Sequence, residues 1–266
     1  MFDFLWSIFV FGLGAIIGSF LNVVIFRYQT GMSMVKGQSV CLSCTKTLTW
    51  LELVPIFSFL AQKGRCRSCL SKISWQYPAV EFTTACIFLA TFWHLGGLQA
   101  PILELVLTLI IFCLLIVIAV YDLRHKIIPD TWSYSLAVLA FILTPGLLYF
   151  NTGNNLPWYE WISGLLVASP FAFLFLISRG HWMGFGDAKL ALGIGWFLGL
   201  SLGISAIIWG FWIGAAYGLT IMAIGLKYKG KKITIKSEIP FAPFLIIGWL
   251  LVYFVGLDLI HLNTLL

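Results

Sequence analysis

The sequence predicts an all-α membrane protein, a polytopic bundle of about eight transmembrane helices with one polar excursion after the first. Three observations carry this. Of 266 residues, 61% are hydrophobic and 10% charged, with a mean hydropathy of +0.99, far from the balance of a soluble domain. Apolar stretches near the ~20 residues needed to cross a bilayer recur along the chain. All sixteen Lys and Arg residues fall on one side of the membrane, in alternate connections or at their border, as expected when basic loops stay on the cytoplasmic side.

In chain order the apolar stretches are Phe4–Phe26, Pro78–Leu95, Ile102–Tyr121, Trp132–Phe150, Trp158–Ile177, Ala188–Leu200, Ile204–Leu226 and Phe241–Ile260, the sixth being short. The first lacks the basic leader and small-residue cleavage site of a secretory signal, so it reads as a retained helix. Its Gly14 and Gly18 form a small-xxx-small pair suited to close helix packing. With the N-terminus outside, every basic residue lies inside, and the net charge of +6 reads as topology and contact with anionic headgroups. Nucleic-acid binding is not indicated, because no basic groove with stacking aromatics is visible. The chain divides into a first helix (1–26), a cytoplasmic excursion (27–77) and a helical remainder (78–266). Asn, Gly and Pro predict a turn at Asn151–Pro157, and alternation in Lys232–Lys236 predicts a short strand or hairpin.

The excursion carries Cys41-Leu42-Ser43-Cys44 and Cys66-Arg67-Ser68-Cys69. Two CxxC knuckles supply four thiolates, which close a tetrahedral structural zinc site with no open coordination position. So small a loop lacks a core of its own, and metal binding would provide its folding free energy. Disulfides or redox motifs are the competing reading, disfavoured on a reducing cytosolic side. Cys86 and Cys113 lie in apolar stretches and read as packing residues.

Asp122 and Asp187 each stand against a long apolar stretch, where a carboxylate is costly. Both fall at the cytoplasmic face. Two such groups brought together by helix packing would share a proton and activate water, as paired carboxylates do in aspartic proteases. Helix capping competes with this reading. Asp187 precedes a helical pattern and fits an N-cap, an explanation preferred for Asp130. Asp122 ends its helix, where the dipole disfavours a negative charge, although pairing with Arg124, Lys126 or Lys189 would relieve it. Gly184 and Gly186 would permit close approach of a substrate backbone and the bend that aims Asp187. Lys189 either tunes the pair or snorkels to headgroups, the latter being preferred.

Together these segments resemble the type IV prepilin leader peptidases, membrane enzymes with a GxGD aspartyl site. The resemblance runs through Gly18-Ser19-Phe20-Leu21-Asn22-Val23-Val24 to Arg27, both CxxC knuckles, Gly64-Arg65-Cys66-Arg67 and Ile73–Pro78 with Glu81. It continues in Asp122, Ile128-Pro129-Asp130, Gly184-Phe185-Gly186-Asp187-Ala188-Lys189-Leu190 and Ile239–Phe244, where Ala242 stands in place of a frequent glycine. The resemblance implies cleavage of the basic leader from type IV prepilins and pseudopilins at the inner face of the bacterial cytoplasmic membrane, in adhesion, secretion or DNA uptake. N-methylation of the new N-terminus by S-adenosylmethionine would follow. By position it assigns catalysis to Asp122 and Asp187, and zinc to Cys41, Cys44, Cys66 and Cys69. It links Gly64 to methylation, with Arg65 where lysine is common. Glu81, near the membrane boundary, is a candidate for taking the proton of the new amine, against an ion pair with Arg65 or Lys72. A zinc-stabilised scaffold or a proton or cation transporter is the alternative from another class. His94, His125, His181 and His261 show no metal-ligand spacing, and the twelve Trp residues read as an interfacial belt.

Overall fold

The computed structural model describes residues 2–148, 157–224, 227–228, 231–232 and 239–260. Outside the mostly irregular segment 28–75 the described residues are helical almost throughout. The helices are α1 (Phe2–Arg27), α2 (Phe57–Ala61), α3 (Gln76–His94), α4 (Ile102–His125), α5 (Asp130–Phe141), α6 (Trp158–Trp161), α7 (Ser163–Ser178), α8 (Phe185–Ile224) and α9 (Ala242–Val255). A π-helical stretch, Ile142–Leu148, continues α5, and Lys227–Tyr228 pairs antiparallel with Lys231–Lys232. The predicted turn at 151–156, the remainder of the strand at 233–236 and His261 lie outside the described residues. Among the described residues, three helical segments are long and apolar enough to cross a membrane: Asp3–Arg27, Ile102–His125 and Phe185–Ile224.

The chain forms two compact units, Met1–Val117 and Ile118–Leu266. In the first, α1 and α3 pack backbone to backbone. A Cβ added at Gly14 would lie 2.7 Å from the Ala85 Cα, and one at Gly18 would lie 2.7 Å from the Glu81 Cα. Lipid offers no hydrophobic drive for helix pairing, so this close approach carries the association. Buried Asn22 adds polar ties, its Nδ2 donating to the Gly18 and Tyr77 carbonyls at 3.3 and 3.2 Å. Val10, Phe88 and Phe92 form the apolar core below, covered by Leu105 and Leu109 of α4.

The second unit is organised around α8, which packs on α5, α7 and α9. The two stretches expected to be separate helices run into each other without a loop. Gly199 joins them at φ 80°, ψ −179°, a conformation essentially restricted to glycine. There the chain turns back on itself. A Cβ at Gly203 would lie 3.2 Å from the Gly195 Cα, whereas residues eight apart in an unbroken helix are about 12 Å apart. Glu160 of α6 accepts the Leu200 N–H at 3.2 Å and so holds the start of the second limb. Ser163 Oγ donates to the Gly195 carbonyl at 2.9 Å, and Trp196 Nε1 donates to the Trp161 carbonyl at 3.1 Å. Asp258, beyond α9, accepts from Ser201 Oγ and Ser205 Oγ at 2.9 Å each.

Candidate functional site

The two CxxC segments fold alike. In each, the first Cys N–H donates five residues ahead, Cys41 to the Lys46 carbonyl and Cys66 to the Ser71 carbonyl, both at 2.9 Å. The residue after each second Cys, Thr45 or Leu70, donates back to the first Cys and takes a left-handed conformation, with φ 56° and 57°. This local duplication is legible in the shared Cys-x-Ser-Cys spacing, yet no internal repeat is apparent at the level of the whole chain. The four ligand atoms of Cys41, Cys44, Cys66 and Cys69 lie within 4.8 Å of one another, and all four thiols are free of disulfides. Cys41 and Cys69 Sγ are 3.8 Å apart. A tetrahedron of sulfurs at ~2.3 Å from zinc has edges of about 3.8 Å, so the cluster fits that ion.

Two of the thiols, Cys41 and Cys69, are already disposed toward ionisation. Hydrogen bonding from the Cys44 and Ser43 backbone lowers the Cys41 thiol to about 6. The Ser71 hydroxyl and backbone lower that of Cys69. Cys44 receives the Lys46 N–H, which acts downward, but its contacts with Cys69, Cys41 and Cys66 outweigh it and push the thiol up to about 11. Such a set shares its protons unevenly, with one sulfur the ready first ligand.

Gly64 has φ 67°, and a Cβ there would meet the Phe59 ring at 3.1 Å. Arg65 is exposed and its backbone bridges to Lys72 across the second knuckle. Glu81 does not make the ion pair weighed for it. Its Oε2 accepts the Ile56 N–H at 2.7 Å. Ile56 sits at φ 62°, ψ −54°, with Phe57 N–H donating to the Pro55 carbonyl at 2.6 Å. A tight γ-turn at a β-branched residue is strained, and buried Glu81 fastens it.

Both aspartates lie in the second unit. Asp122 occupies the last turn of α4 and is 4% exposed. The dipole of its own helix offers it nothing, but α9 does. Asp122 Oδ2 accepts the Ala242 N–H at 3.1 Å, and Ala242 is the first residue of α9, with Pro243 next. The carboxylate therefore rests at the positive end of a second helix. That donor lies 120 residues ahead and is not visible in the sequence, although the Pro240-Phe241-Ala242-Pro243 pattern marks a helix start.

Asp187 is the third residue of α8, inside the first turn, so the N-cap expectation fails; its N–H donates to the Gly184 carbonyl at 3.3 Å. It is half-buried and lies within electrostatic reach of Asp122. The N-cap expected at Asp130 fails as well. Pro129 precedes α5, and the Asp130 carboxylate instead binds Lys189 Nζ at 2.6 Å. The Lys189 ammonium is thus held by Asp130 and makes no ion pair with Asp122. Its ammonium lies 5.1 Å from the ring centroids of both Tyr134 and Phe185, and its side chain is 11% exposed.

The glycines also part company. A Cβ on Gly186 would lie 2.9 Å from the Ile128 Cβ, whereas one on Gly184 meets only the Gly186 nitrogen at 4.0 Å. Gly186 is needed for packing, and Gly184 faces open space. Ile128, which packs against Gly186 beside Asp187, is not singled out by role in the sequence.

Comparison with known proteins follows the same division of the chain. Residues 12–95 match the bacterial peptidase A24 N-terminal domain, and residues 109–219 match the type IV leader peptidase family. A prepilin leader peptidase/N-methyltransferase of Bacillus subtilis is 36% identical over 255 residues, covering 94% of this chain and 93% of that protein. Proteins of the same description from Klebsiella pneumoniae and Xanthomonas campestris are each 31% identical, covering 74% and 94% of this chain and 87% and 91% of theirs. No solved structure matches. With likeness at this level running through both the thiol cluster and the paired carboxyls, the chain belongs to the type IV leader peptidase family.

Proposed function

We propose that this protein cleaves the leader peptide from type IV prepilins and N-methylates the new N-terminus, with Asp122 and Asp187 as the hydrolytic pair. The single observation that carries the cleavage reading is the convergence of these two carboxyls, from helices whose sequence positions are 65 residues apart, to within electrostatic reach of each other. Family membership sets aside the scaffold and transporter readings.

The chemistry asks for one ionised and one protonated carboxyl. The ionised one takes a proton from water, and the protonated one donates to the scissile carbonyl, so the pair keeps one shared proton through the addition. Mutual repulsion favours that singly charged state. The α9 N-terminus acts on Asp122 alone, which supports a division of roles without fixing which group begins as base. Lys189, held by Asp130, orients the first turn of α8.

In the membrane we assign eight crossings: α1, α3, α4, α5 with its continuation, α7, the two limbs of α8, and α9. The N-terminus lies outside, and the aspartates lie at the cytoplasmic boundary of the bacterial inner membrane. A prepilin has a basic leader and an apolar helix, so its cleavage point would lie at the same depth. The four thiolates would hold a structural zinc that fixes both knuckles. S-adenosylmethionine would supply an electrophilic methyl group to the new amine, once that amine, with a free pKa of about 8, has lost its proton. Gly64 and Arg65 belong to this second activity by family resemblance, and Glu81 supports it by holding the Pro55–Phe57 turn.

Incubation of the detergent-purified protein with a model prepilin, with and without S-adenosylmethionine, and mass measurement of the product tests both activities. Asp122→Asn and Asp187→Asn should each lower cleavage on the order of 10³-fold with zinc content unchanged. Full cleavage by either variant overturns the assignment.

A further inference from the structure

A cavity of about 470 Å³ opens in the first unit beneath the second knuckle, with Phe59, Lys63, Gly64, Arg65, Lys72 and Trp75 in its wall. Its chemistry is lopsided. From Phe57 to Trp75 the chain carries Lys63, Arg65, Arg67 and Lys72 and no acidic residue. The nearby acids are engaged elsewhere, Glu52 by Thr49 and Lys46 and Glu81 by Ile56. The apolar side of the wall is equally distinct. Trp75 packs against Phe59 with ring centroids 4.8 Å apart and planes tilted by 59°, while remaining 74% exposed, and Leu60 in the same wall is 61% exposed.

The depth of the cavity follows from α1. Asn22 of α1 reaches the Tyr77 carbonyl, so the first turn of α3 is level with a residue five short of the end of an apolar helix long enough to cross a bilayer. Trp75 immediately precedes α3. The cavity mouth therefore opens where α1 leaves hydrocarbon, with an exposed aromatic and aliphatic rim and a cationic wall. Trp and basic side chains at that depth meet lipid headgroups.

We propose that this cavity binds the phosphate headgroup of an anionic phospholipid, with Lys63, Arg65 and Lys72 on the phosphate and Trp75 and Leu60 against the glycerol and upper acyl carbons. The volume suits a headgroup-sized ligand. The methyl donor fits less well. Its carboxylate could meet one of these cations, but its sulfonium and ammonium leave it net positive, and a wall of three cations without a carboxylate gives those two groups no partner. A bound anionic lipid would anchor the knuckle domain to the membrane surface at the depth where the new N-terminus is released.

The inference rests on α1 crossing the bilayer. The test is native mass spectrometry of the detergent-purified full chain, titrated separately with dioctanoyl-phosphatidylglycerol, dioctanoyl-phosphatidylcholine and S-adenosylmethionine. The wild type should retain phosphatidylglycerol at least tenfold more tightly than phosphatidylcholine. Lys63→Ala with Lys72→Ala should weaken phosphatidylglycerol about 30-fold, from ~1 kcal/mol for each lost cation, with one zinc retained. Unchanged phosphatidylglycerol binding in the double variant overturns the site. Displacement of phosphatidylglycerol by S-adenosylmethionine does too, making the cavity the donor's. Loss of zinc with the two lysines overturns it in favour of cations that balance the thiolates. A protein that stays dispersed without detergent removes the premise about α1 instead, and prepilin cleavage measured alongside shows whether the assignment of the aspartates survives independently.

Discussion

Gly186→Ala isolates what the GxGD glycines do. The added methyl would sit 2.9 Å from the Ile128 Cβ and 3.3 Å from its Cγ1 and Cδ1, and the first of these contacts is to an atom fixed by the backbone. Ordinary carbon contacts lie at about 3.5–4.0 Å, so either the first turn of α8 or the Ile128 segment must retreat by roughly 1 Å. Asp187 is the next residue and moves with that turn. Overpacking of this kind costs about 1–3 kcal/mol in stability. A displacement of ~1 Å at a reacting group costs on the order of 10²-fold in rate. The expectation is therefore a ~100-fold fall in prepilin cleavage, read by mass measurement of the product at fixed enzyme, with zinc content and chromatographic behaviour unchanged. Gly184→Ala, whose methyl meets nothing closer than 4.0 Å, should stay within a few-fold of wild type. Ile128→Ala removes the Cγ1 and Cδ1 contacts and should restore part of the loss in the double variant. Equal damage at Gly184 and Gly186 would refute a packing role and return both glycines to substrate approach.

Gly64→Ala combines a left-handed backbone with a 3.1 Å contact to Phe59; it should lower methylation while cleavage persists, and equal loss of both activities would indicate misfolding instead. Gly18→Leu drives a side chain into the Glu81 backbone and the Thr84 side chain, so α1 and α3 should separate, which limited proteolysis of the 27–76 region would detect as faster cutting. Removing zinc with a chelator should have the same effect on that region. Reloading should depend on pH with a definite sign: zinc must displace the thiol protons, and the most readily ionised thiol, Cys41, lowered to about 6, is itself protonated as pH falls through that value, so zinc uptake measured by metal analysis should weaken steadily as pH is lowered.

The sequence makes the helical class, the thiol cluster and the α1–α3 contact legible because each depends on a short-range rule. Hydropathy marks the helices, CxxC spacing brings two sulfurs together within each knuckle, and small residues four apart make one face of a helix flat. Boundaries set by tertiary contact are less legible. The helix ending near Tyr121 continues to His125, and the stretch beginning at Trp158 divides at Ile162 into α6 and α7. The sixth and seventh stretches meet at Gly199 without a loop, because one glycine in an extended, positive-φ conformation reverses the chain by itself. Hydropathy separates those two stretches but is blind to φ.

Charge pairing escaped the sequence for a related reason. Asp130 at a helix start and Lys189 near a basic face each have an adequate local explanation, yet the structure joins them across 59 residues at 2.6 Å. Asp122 shows the converse. At the end of α4 it has no favourable local position, and this deficit is informative, because a buried carboxylate must find donors somewhere. The donor found is the Ala242 N–H, a group left without an intrahelical partner at the start of α9. A peptide N–H is available from any residue except proline, so the contact does not depend on the side chain at position 242. What this position cannot accommodate is an imino acid, since Ala242→Pro would leave Asp122 buried without that bond. The IPFAPF segment thus bears on Asp122 through its backbone, while the Phe241 and Phe244 side chains pack against Phe211 and Tyr217 of α8.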